Sequence, residues 1–389
     1  MPGYKLNIPA LLRATATLAL AASAAGIAPA SAGTLPDDRA DLMYHRYDGG
    51  GVTIDGPSLL VRKKFQEKYA VNASYYVDLV SSASIDVVTT ASPYAEKRKQ
   101  YGVGAEYLRG KTTYSLDYSN SRENDYDADT ASASISQDMF GDLTTLRLSF
   151  ARGWDTVRRR GDTGFARALD RRVYGVDLSQ VATSSLILGL SWEAFTEEGF
   201  LNNPYRSVRF LDEGSSVGYS YEPERYPGTR TGNAVGLRAR QFLPWRAALQ
   251  GDYRWYTDTW DVRAHTFELA YTQPWRTNWT FDVHYRYYTQ LGAEFYSDLF
   301  PRADYANFIG RDKELSTFAS NTLGFGVAYE FRWSRLPWLA RASVNLKYDR
   351  MEYDYKDFRD VRVTTAAPGT EPLYGFGANV VQVFVSGWF

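Results

Sequence analysis

Apolar residues alternate with polar or small residues along almost the whole chain, and this alternation restricts the fold more than any other feature. Residues 186–193 read LILGLSWE, and residues 279–287 read WTFDVHYRY. Because successive side chains of a β-strand point to opposite faces, a period of two predicts strands with one apolar face. No convincing period of 3.6 residues appears, so the predicted fold class is all-β.

Two all-β architectures produce this pattern. A soluble sandwich packs its apolar faces together, whereas an outer-membrane barrel turns them toward lipid. The alternating segments run about 10–14 residues, longer than the usual soluble strand of about 5–6 residues and suited to a tilted membrane-spanning strand. Glycine also recurs within them, at Gly102, Gly104, Gly324 and Gly326. We therefore predict a transmembrane antiparallel up-and-down β-barrel.

About sixteen strands are predicted, and their connections mostly alternate between short and long. Long links fall at 81–96, 156–166, 199–229, 293–319 and 357–372. Short periplasmic turns and long external loops are typical of outer-membrane barrels, and an even strand number places both termini in the periplasm. Fourteen strands remain an alternative, because the first hairpin (39–65) and the reversal near Trp260 are weakly marked. The predicted strands are 39–48, 51–65, 69–80, 97–109, 112–121, 128–138, 143–155, 167–181, 184–198, 230–243, 246–260, 262–275, 278–292, 320–332, 339–356 and 373–389.

The N-terminal segment has the organisation of a secretory signal peptide. Lys5 and Arg13 precede or begin an alanine-rich apolar stretch, and Ala30-Ser31-Ala32 forms a small-residue cleavage site. We expect a signal peptide at 1–32 and one outer-membrane barrel domain at 33–389, with long external loops at 199–229 and 293–319.

Composition excludes several classes of protein. The 389 residues include no cysteine, which rules out disulfides and cysteine-ligated metals. A net charge of −1 provides no basic surface for nucleic acid. A polytopic helical membrane protein is excluded because no apolar run of about 18 residues occurs beyond the N-terminus. Mean hydropathy is −0.40 although aromatic residues make up 15% of the chain, as expected when only alternate residues face lipid.

Tryptophans collect beside the predicted short turns. Such clustering is typical of the aromatic girdle at a membrane interface. The terminal Phe389 on an alternating last strand resembles the signal read by the barrel assembly machinery. The predicted periplasmic girdle comprises Trp245, Trp275, Trp279, Trp333, Trp338 and Trp388.

Several long motifs resemble a Gram-negative outer-membrane family catalogued as a domain of unknown function, the 3570 family. The resemblance implies a single barrel domain and brings no established activity. Similar proteins are often encoded beside a small lipoprotein, a thioredoxin-like protein and a flavin transferase, which hints at a periplasmic redox setting. The motifs are YYVD at 75–78, SASIDVV at 82–88, TASPY at 90–94, NSRENDY at 120–126, SISQDMFGDLTT at 134–145, GWD at 153–155, FLNNPYR at 200–206 and YSDLFPR at 296–302.

Charged residues on the polar face of the predicted strands would line the lumen. Opposed charges across a pore create a transverse field that favours polar solutes. The leading prediction is therefore a passive or loop-gated channel for small polar solutes in the outer membrane of a Gram-negative bacterium. The lumen candidates are Arg147, Asp177, Glu193, Arg238, Asp252, Arg254, Glu268, Asp282, His284, Arg286 and Glu330.

Two other functions stay open. A non-conducting barrel could dock a periplasmic or surface partner, such as a lipoprotein or a redox or flavin-associated protein. A barrel hydrolase would need a histidine base in fixed geometry, and His284 is the candidate. The Gly-x-Ser-x-Gly match at 214–218 lies in a predicted loop, without the strand-turn-helix context of a nucleophile elbow. No enzymatic activity and no cofactor are predicted.

Two charged clusters fall in predicted external segments. Asp125, Asp127 and Asp129 offer oxygen ligands for a weak divalent site, but Thr130 and Ser136 occupy the positions where an EF-hand needs glycine and glutamate. Arginine side chains match phosphate geometry, so an external basic patch could hold lipopolysaccharide or be a solvated loop. The patch comprises Arg158, Arg159, Arg160, Arg167, Arg171 and Arg172.

The two longest predicted loops are rich in aromatic residues, and we expect one of them to fold into the mouth and narrow the pore. Deletion of residues 303–315 should then raise single-channel conductance in planar bilayers. Unchanged conductance would contradict the hypothesis and favour loops that only pack on each other above the barrel.

Overall fold

The computed structural model describes residues 33–82, 94–333 and 335–389. Across these residues, sixteen antiparallel strands form one closed barrel in which the last strand pairs with the first. The predicted signal peptide at 1–32 lies outside the described residues. No helix in the described part of the chain is long and apolar enough to cross a membrane.

The strand count of sixteen is confirmed over fourteen, because both weakly marked hairpins are formed. Two additional short strands, β10 and β11, pair with each other outside the barrel wall, and a single 3₁₀ turn, Lys313–Leu315, is found among the described residues. The strands are β1 Arg39–Gly49, β2 Val52–Phe65, β3 Tyr69–Ser82, β4 Tyr94–Arg109, β5 Thr112–Arg122, β6 Tyr126–Met139, β7 Thr144–Arg159, β8 Asp162–Val181, β9 Leu186–Gly199, β10 Ser207–Leu211, β11 Tyr219–Pro223, β12 Thr229–Phe242, β13 Ala248–Asp258, β14 Arg263–Trp275, β15 Trp279–Leu291, β16 Phe318–Phe331, β17 Arg341–Arg359 and β18 Leu373–Trp388.

The barrel has two different ends. The start of β1, the end of β18 and a set of short connections lie at one end, which we call the terminal end. The opposite end, called the loop end, carries the long connections. The terminal-end connections are 66–68, 110–111, 140–143, 182–185, 243–247, 276–278 and 332–340, and the loop-end connections are 50–51, 83–93, 123–125, 160–161, 200–228, 259–262, 292–317 and 360–372.

The predicted loop at 156–166 is wrong. Strands β7 and β8 continue through it and leave only a turn at 160–161, with a register shift beside Arg158 and Arg159. The sequence loses its apolar alternation there because both faces of this hairpin extension carry polar side chains. Loss of the apolar stripe therefore marks the end of the apolar wall and not the end of the strand.

One face of the wall is apolar and exposed. Leu148, Leu237, Leu269 and Leu323 are each about half exposed, and large apolar side chains recur at alternate positions of most strands. A soluble monomer rarely exposes so continuous an apolar surface. An outward apolar band is the surface expected of a barrel that spans a bilayer.

Outward tyrosines mark the boundary of this apolar band on the side of the loop end. On five strands that run toward the loop end, a tyrosine hydroxyl hydrogen-bonds to a polar side chain two positions nearer the loop end on the next strand. Amphipathic rings of this kind settle where apolar and polar surroundings meet. This tyrosine girdle consists of the pairs Tyr44–Asp55 at 2.8 Å, Tyr118–Asp129 at 2.6 Å, Tyr253–His265 at 2.8 Å, Tyr285–Asn321 at 2.6 Å and Tyr348–Asn379 at 2.8 Å.

Five of the six predicted girdle tryptophans are exposed at the terminal end, namely Trp245, Trp275, Trp279, Trp333 and Trp338. Trp388 differs. Its ring lies 4.1 Å from the guanidinium of Arg341, and the register pairs it with Arg39 and Arg341 on the inward-facing positions. The girdle prediction is therefore wrong for Trp388, because strand parity turns it inward. Phe389 is exposed beside Lys63, and its role in assembly stays a prediction.

Gly199 ends β9 with φ +125°, and a Cβ there would lie 2.2 Å from the carbonyl oxygen of Ala168. We expect Gly199→Ala to destabilise the barrel by about 1–3 kcal/mol, as strained backbone does. The measurement is the melting temperature of the heat-modifiable form in detergent. Gly251→Ala is the matched control, since a Cβ at Gly251 meets nothing within 4 Å. Equal losses in the two variants would contradict the prediction.

Candidate functional site

All eleven predicted lumen residues lie on one face of the wall. The register pairs Arg147 with Asp177, and it links Arg238 through Asp252 to Glu268. The other predicted lumen residues occupy the same face, because they have the same parity along their strands. This face is opposite to the exposed apolar side chains. The eleven residues are Arg147, Asp177, Glu193, Arg238, Asp252, Arg254, Glu268, Asp282, His284, Arg286 and Glu330.

Side chains on this face reach across an intervening strand, which requires a concave surface. His284 Nε2 on β15 lies 3.3 Å from Asp349 Oδ1 on β17, above Gly324 of β16. A Cβ on Gly324 would lie 2.0 Å from the imidazole of His284. Arg254 on β13 similarly reaches Glu193 on β9 at 3.2 Å, across β12. The charged face is therefore the inner wall of the barrel.

Much of the inner wall stays open to solvent. The side chains of Arg254 and Glu330 are about half exposed, and Arg147 is exposed as well. A sixteen-stranded barrel is wide enough to leave an aqueous interior unless loops fill it. The lumen is consequently a water-accessible space lined by charged side chains.

The inner wall has two chemically different sectors. Between β5 and β7 it is rich in hydroxyls, since Ser115 pairs with Ser134, and Ser134 pairs with Ser149. From β12 to β17 it carries many charged side chains, including the ion pair between Arg238 and Asp252. Hydroxyls and ionised groups thus face one another across the lumen.

Three connections pack together at the loop end and form what we call the plug, comprising residues 200–228, 292–317 and 360–372. Its main core joins Leu201, Tyr226, Phe295 and Leu315 to Trp260 of the β13–β14 turn. A second cluster holds Val208, Phe300 and Ile309, and all three are buried. These loops have a core of their own, so they form a fixed structure at the mouth.

Arg209 is the ionic centre of the plug. Its side chain is fully buried and pairs with Asp298 and, at 2.5 Å, with Glu371. Arg311 also binds Asp298, at 2.8 Å. These four charges come from all three plug segments. Removing one partner of a buried ion pair costs about 3–5 kcal/mol, because it leaves an uncompensated charge.

The plug is fastened to the inner wall near the 3₁₀ turn. The Gln290 amide of β15 donates to the backbone oxygens of Glu314, at 2.8 Å, and Ser316, at 2.7 Å. The Glu314 carboxylate interacts electrostatically with Tyr47 and Tyr353 on the inner wall. The segment 303–315, whose deletion was predicted to widen the pore, lies in two different environments. Residues 301–308 are exposed, whereas residues 309–313 are buried.

A second buried charge cluster joins two plug segments. Arg206 pairs with Asp312, while Glu224 accepts hydrogen bonds from the Tyr226 hydroxyl at 2.6 Å and the Arg311 backbone N–H at 2.8 Å. Burial raises the pKa of Glu224 to about 7, opposed by Arg206 and reinforced by Asp312. Glu224 thus titrates near neutral pH inside the plug.

The predicted external basic patch is divided by the wall, which corrects the sequence interpretation. Arg171 points inward and lies 2.7 Å from Asp155, whereas Arg172 points outward and lies 3.0 Å from Asp170. Neighbouring residues of a strand face opposite sides, and the mistaken loop at 156–166 concealed this parity. Arg160 lies in the turn.

The remaining patch residues have local partners. Arg158 points outward and pairs with Asp127, while Arg159 and Arg167 each lie 5.1 Å from the ring of Phe165. Four of the six arginines, counting the ion pair between Arg159 and Asp162, are matched to carboxylates. The six therefore do not form one free phosphate-binding surface.

The three aspartates of the weak metal candidate are not brought together. Asp127 pairs with Arg158, and Asp129 accepts hydrogen bonds from Tyr118 and from Asn120 at 2.8 Å. Asp125 instead lies with Glu96 and Glu123, whose carboxylates are within 4.8 Å of one another. The difference arises because Asp125 lies in the connection before β6, whereas Asp127 and Asp129 lie on the outer face of β6 itself.

His45 forms a buried cluster that sequence reasoning missed. Its Nε2 lies 2.9 Å from Asp78 Oδ1 and 3.0 Å from the Tyr76 hydroxyl, and Arg98 lies 3.1 Å from Asp78. The sequence contains only part of the information needed to find this cluster. Strand parity places His45, Tyr76, Asp78 and Arg98 on the inner face, but it does not show that side chains of β1 contact those of β3 across β2. His265 is on the outer face in the tyrosine girdle.

The fold and the inner wall together define a class. A closed antiparallel barrel with an apolar outer wall and a polar inner wall is the architecture of outer-membrane β-barrel proteins. The sequence profile of a family described as a protein of unknown function (DUF3570) matches residues 85–177 and 170–353, well over half of the chain. The chain therefore belongs to this family, and the resemblance of its motifs is confirmed. No curated protein has a significantly similar sequence.

Several solved outer-membrane barrels are similar to this chain at low sequence identity. The siderophore receptor PirA from Pseudomonas aeruginosa is 12% identical with a TM-score of 0.43, and the match covers 84% of this chain but only 60% of the receptor. A bacterial polysaccharide outer-membrane secretin is 11% identical with a TM-score of 0.46, covering 90% and 98%. A Pseudomonas aeruginosa FadL homologue is 11% identical with a TM-score of 0.44, covering 94% of each chain.

The pKa of Glu224 predicts that the plug is more stable at lower pH. A carboxyl whose pKa is higher in the packed plug than in the opened one binds its proton more tightly when packed. Plug stability should therefore fall as pH rises from 4.5 to about 7 and level off above that, with at most about a tenfold change in opening per pH unit. Limited proteolysis of the plug between pH 5 and 8 measures this.

Glu224→Gln, which imitates the protonated group, should abolish the pH dependence of proteolysis. Glu213→Gln is the control, since Glu213 is exposed in the turn between β10 and β11, and it should retain the wild-type profile. A pH dependence that survives in Glu224→Gln would show that another group is responsible.

Proposed function

We propose that the protein is a channel for small polar solutes in the outer membrane of a Gram-negative bacterium, with a mouth narrowed by the plug. The observation that carries the proposal is the contrast between the inner wall and the plug at the loop end. The charged inner wall is open to water at Arg147, Arg254 and Glu330, whereas the plug above it is densely packed.

The orientation follows from the two ends of the barrel. Short turns at the terminal end suit the periplasm, and long connections suit the cell surface. The plug then lies at the external mouth, with both termini in the periplasm. A signal peptide at 1–32 and recognition of Phe389 by the assembly machinery belong to the same proposal.

The lumen would select solutes through its uneven lining. Charges on β12–β17 and hydroxyls on β5–β7 create a transverse field that orients dipolar molecules and disfavours apolar ones. Opposite charges are mostly paired within the wall, as in Arg254 with Glu193 and Arg238 with Asp252. We therefore propose weak ion selectivity and passage of small hydroxylated or zwitterionic molecules.

Purified protein reconstituted in planar bilayers tests the proposal. Wild type should show discrete conductance steps, and Arg209→Ala should increase the mean conductance or the open time at least twofold, because buried Glu371 loses its arginine partner and Asp298 retains only Arg311. Arg302→Gln is the control on the same plug, since exposed Arg302 bonds only to neighbouring backbone oxygens. A silent bilayer for both wild type and Arg209→Ala would overturn the channel proposal.

The packed plug itself favours a second candidate, a closed barrel that docks a periplasmic or surface partner. Absence of conductance together with a specific crosslinked partner would support it, and a lipoprotein or redox protein is the kind of partner expected. A hydrolase built on His284 is the third candidate. It would require activity that His284→Ala removes without loss of the folded barrel.

A further inference from the structure

A belt of positive charge lies on the outer face of β4–β8, beside the apolar wall. Outward-facing cationic side chains occupy successive positions toward the loop end. Their outward direction follows from parity, because they share a face with the exposed Tyr101, Leu116, Leu148 and Tyr174. The cationic belt consists of Lys97, Lys99, Arg122, Arg152, Arg158 and Arg172.

The belt begins where the apolar wall ends. One row of paired residues across β5–β8 reads Leu116, Ala133, Phe150 and Tyr174 and contains no charge. The next outward row toward the loop end reads Tyr118, Ala131, Arg152 and Arg172. Tyr118 belongs to the tyrosine girdle. The first cations are thus at the boundary where lipid acyl chains give way to headgroups.

Two guanidinium groups of the belt converge on one carboxylate. Arg152 binds Asp170 Oδ2 through Nε at 3.0 Å and Nη2 at 2.7 Å, and Arg172 binds Asp170 Oδ1 at 3.0 Å. Both arginine side chains keep about half of their surface exposed. One carboxylate therefore holds the two guanidinium groups in place while leaving an uncompensated positive charge facing outward.

The belt as a whole has excess positive charge. Its outward carboxylates are Asp127, Asp129 and Asp170, against six cations. Among the described residues, Lys97 and Lys99 are exposed and have no carboxylate within ion-pairing distance. Three outward arginines on other strands each have a local carboxylate partner: Arg46 pairs with Asp48, Arg263 with Asp261 and Arg350 with Glu352. In the belt on β4–β8 the six outward cations therefore outnumber the three outward carboxylates by three.

We propose that the cationic belt binds the phosphate groups of a lipopolysaccharide molecule in the outer leaflet. Arginine binds phosphate in bidentate geometry, and charge-assisted hydrogen bonds of this kind are strong. An anchored phosphate at headgroup depth leaves the acyl chains against the apolar row that contains Phe150 and Tyr174, whose rings are 5.2 Å apart. The site takes a phosphorylated glycolipid as its ligand and is independent of conduction through the lumen.

Titration of the full-length protein in detergent with fluorescent rough lipopolysaccharide tests the proposal. The triple variant Arg122→Gln, Arg152→Gln, Arg172→Gln should bind at least tenfold more weakly than wild type. The matched control is Arg46→Gln, Arg263→Gln, Arg350→Gln, which removes the same charge from outward positions elsewhere and should remain within about twofold of wild type.

Two further measurements keep the test decisive. Lys97→Gln with Lys99→Gln should also weaken binding, and it breaks no ion pair among the described residues, so it distinguishes loss of the ligand from loss of folding. Dephosphorylated lipopolysaccharide should bind wild type at least tenfold more weakly than the phosphorylated form, while inorganic phosphate should compete poorly. Equal affinity of the two triple variants, or binding that survives dephosphorylation, would overturn the proposal.

Discussion

Closure of the sheet between β1 and β18 is the constraint on which the rest of the structure depends. Pairing from Arg39 with Trp388 to Gly49 with Ala378 leaves the barrel without a free edge. Within a bilayer each unpaired backbone group costs several kcal/mol, so only a closed wall is stable there. Once the wall is closed, parity decides for every residue whether it meets lipid or the lumen.

The two sides of the wall are stabilised by different physics. The outer face needs only apolar area and interfacial tyrosines, whereas the inner face must neutralise its charges against one another in water. The plug adds a third environment, a dry interior in which Arg209 has no exposed surface. Ionic contacts are strong there because solvent is absent, and they are also costly to disturb. Rigidity is thus concentrated at one end, above a hydrated lumen.

The alternation was sufficient to predict the fold, the even number of strands and the inward parity of the eleven lumen residues, because each depends on local pattern. It failed where polar residues occupy both faces, as in the β7–β8 extension, and this error also misplaced Arg171. Trp388 was misassigned because its position beside the end of the last strand does not by itself tell which face of the wall it occupies. Contacts between distant segments, such as Arg209 with Glu371 or His45 with Asp78, require the register of the folded sheet and are not visible in one sequence.

The plug draws its charges from distant parts of the chain, and this affects the order of assembly. Glu371 lies in the connection between β17 and β18, so Arg209 cannot be neutralised fully until the last hairpin has formed. A barrel arrested before that point would have a cationic group with too few counter-charges and an unsealed mouth. The plug can therefore reach its complete set of buried ion pairs only after the connection between the last two strands is in place.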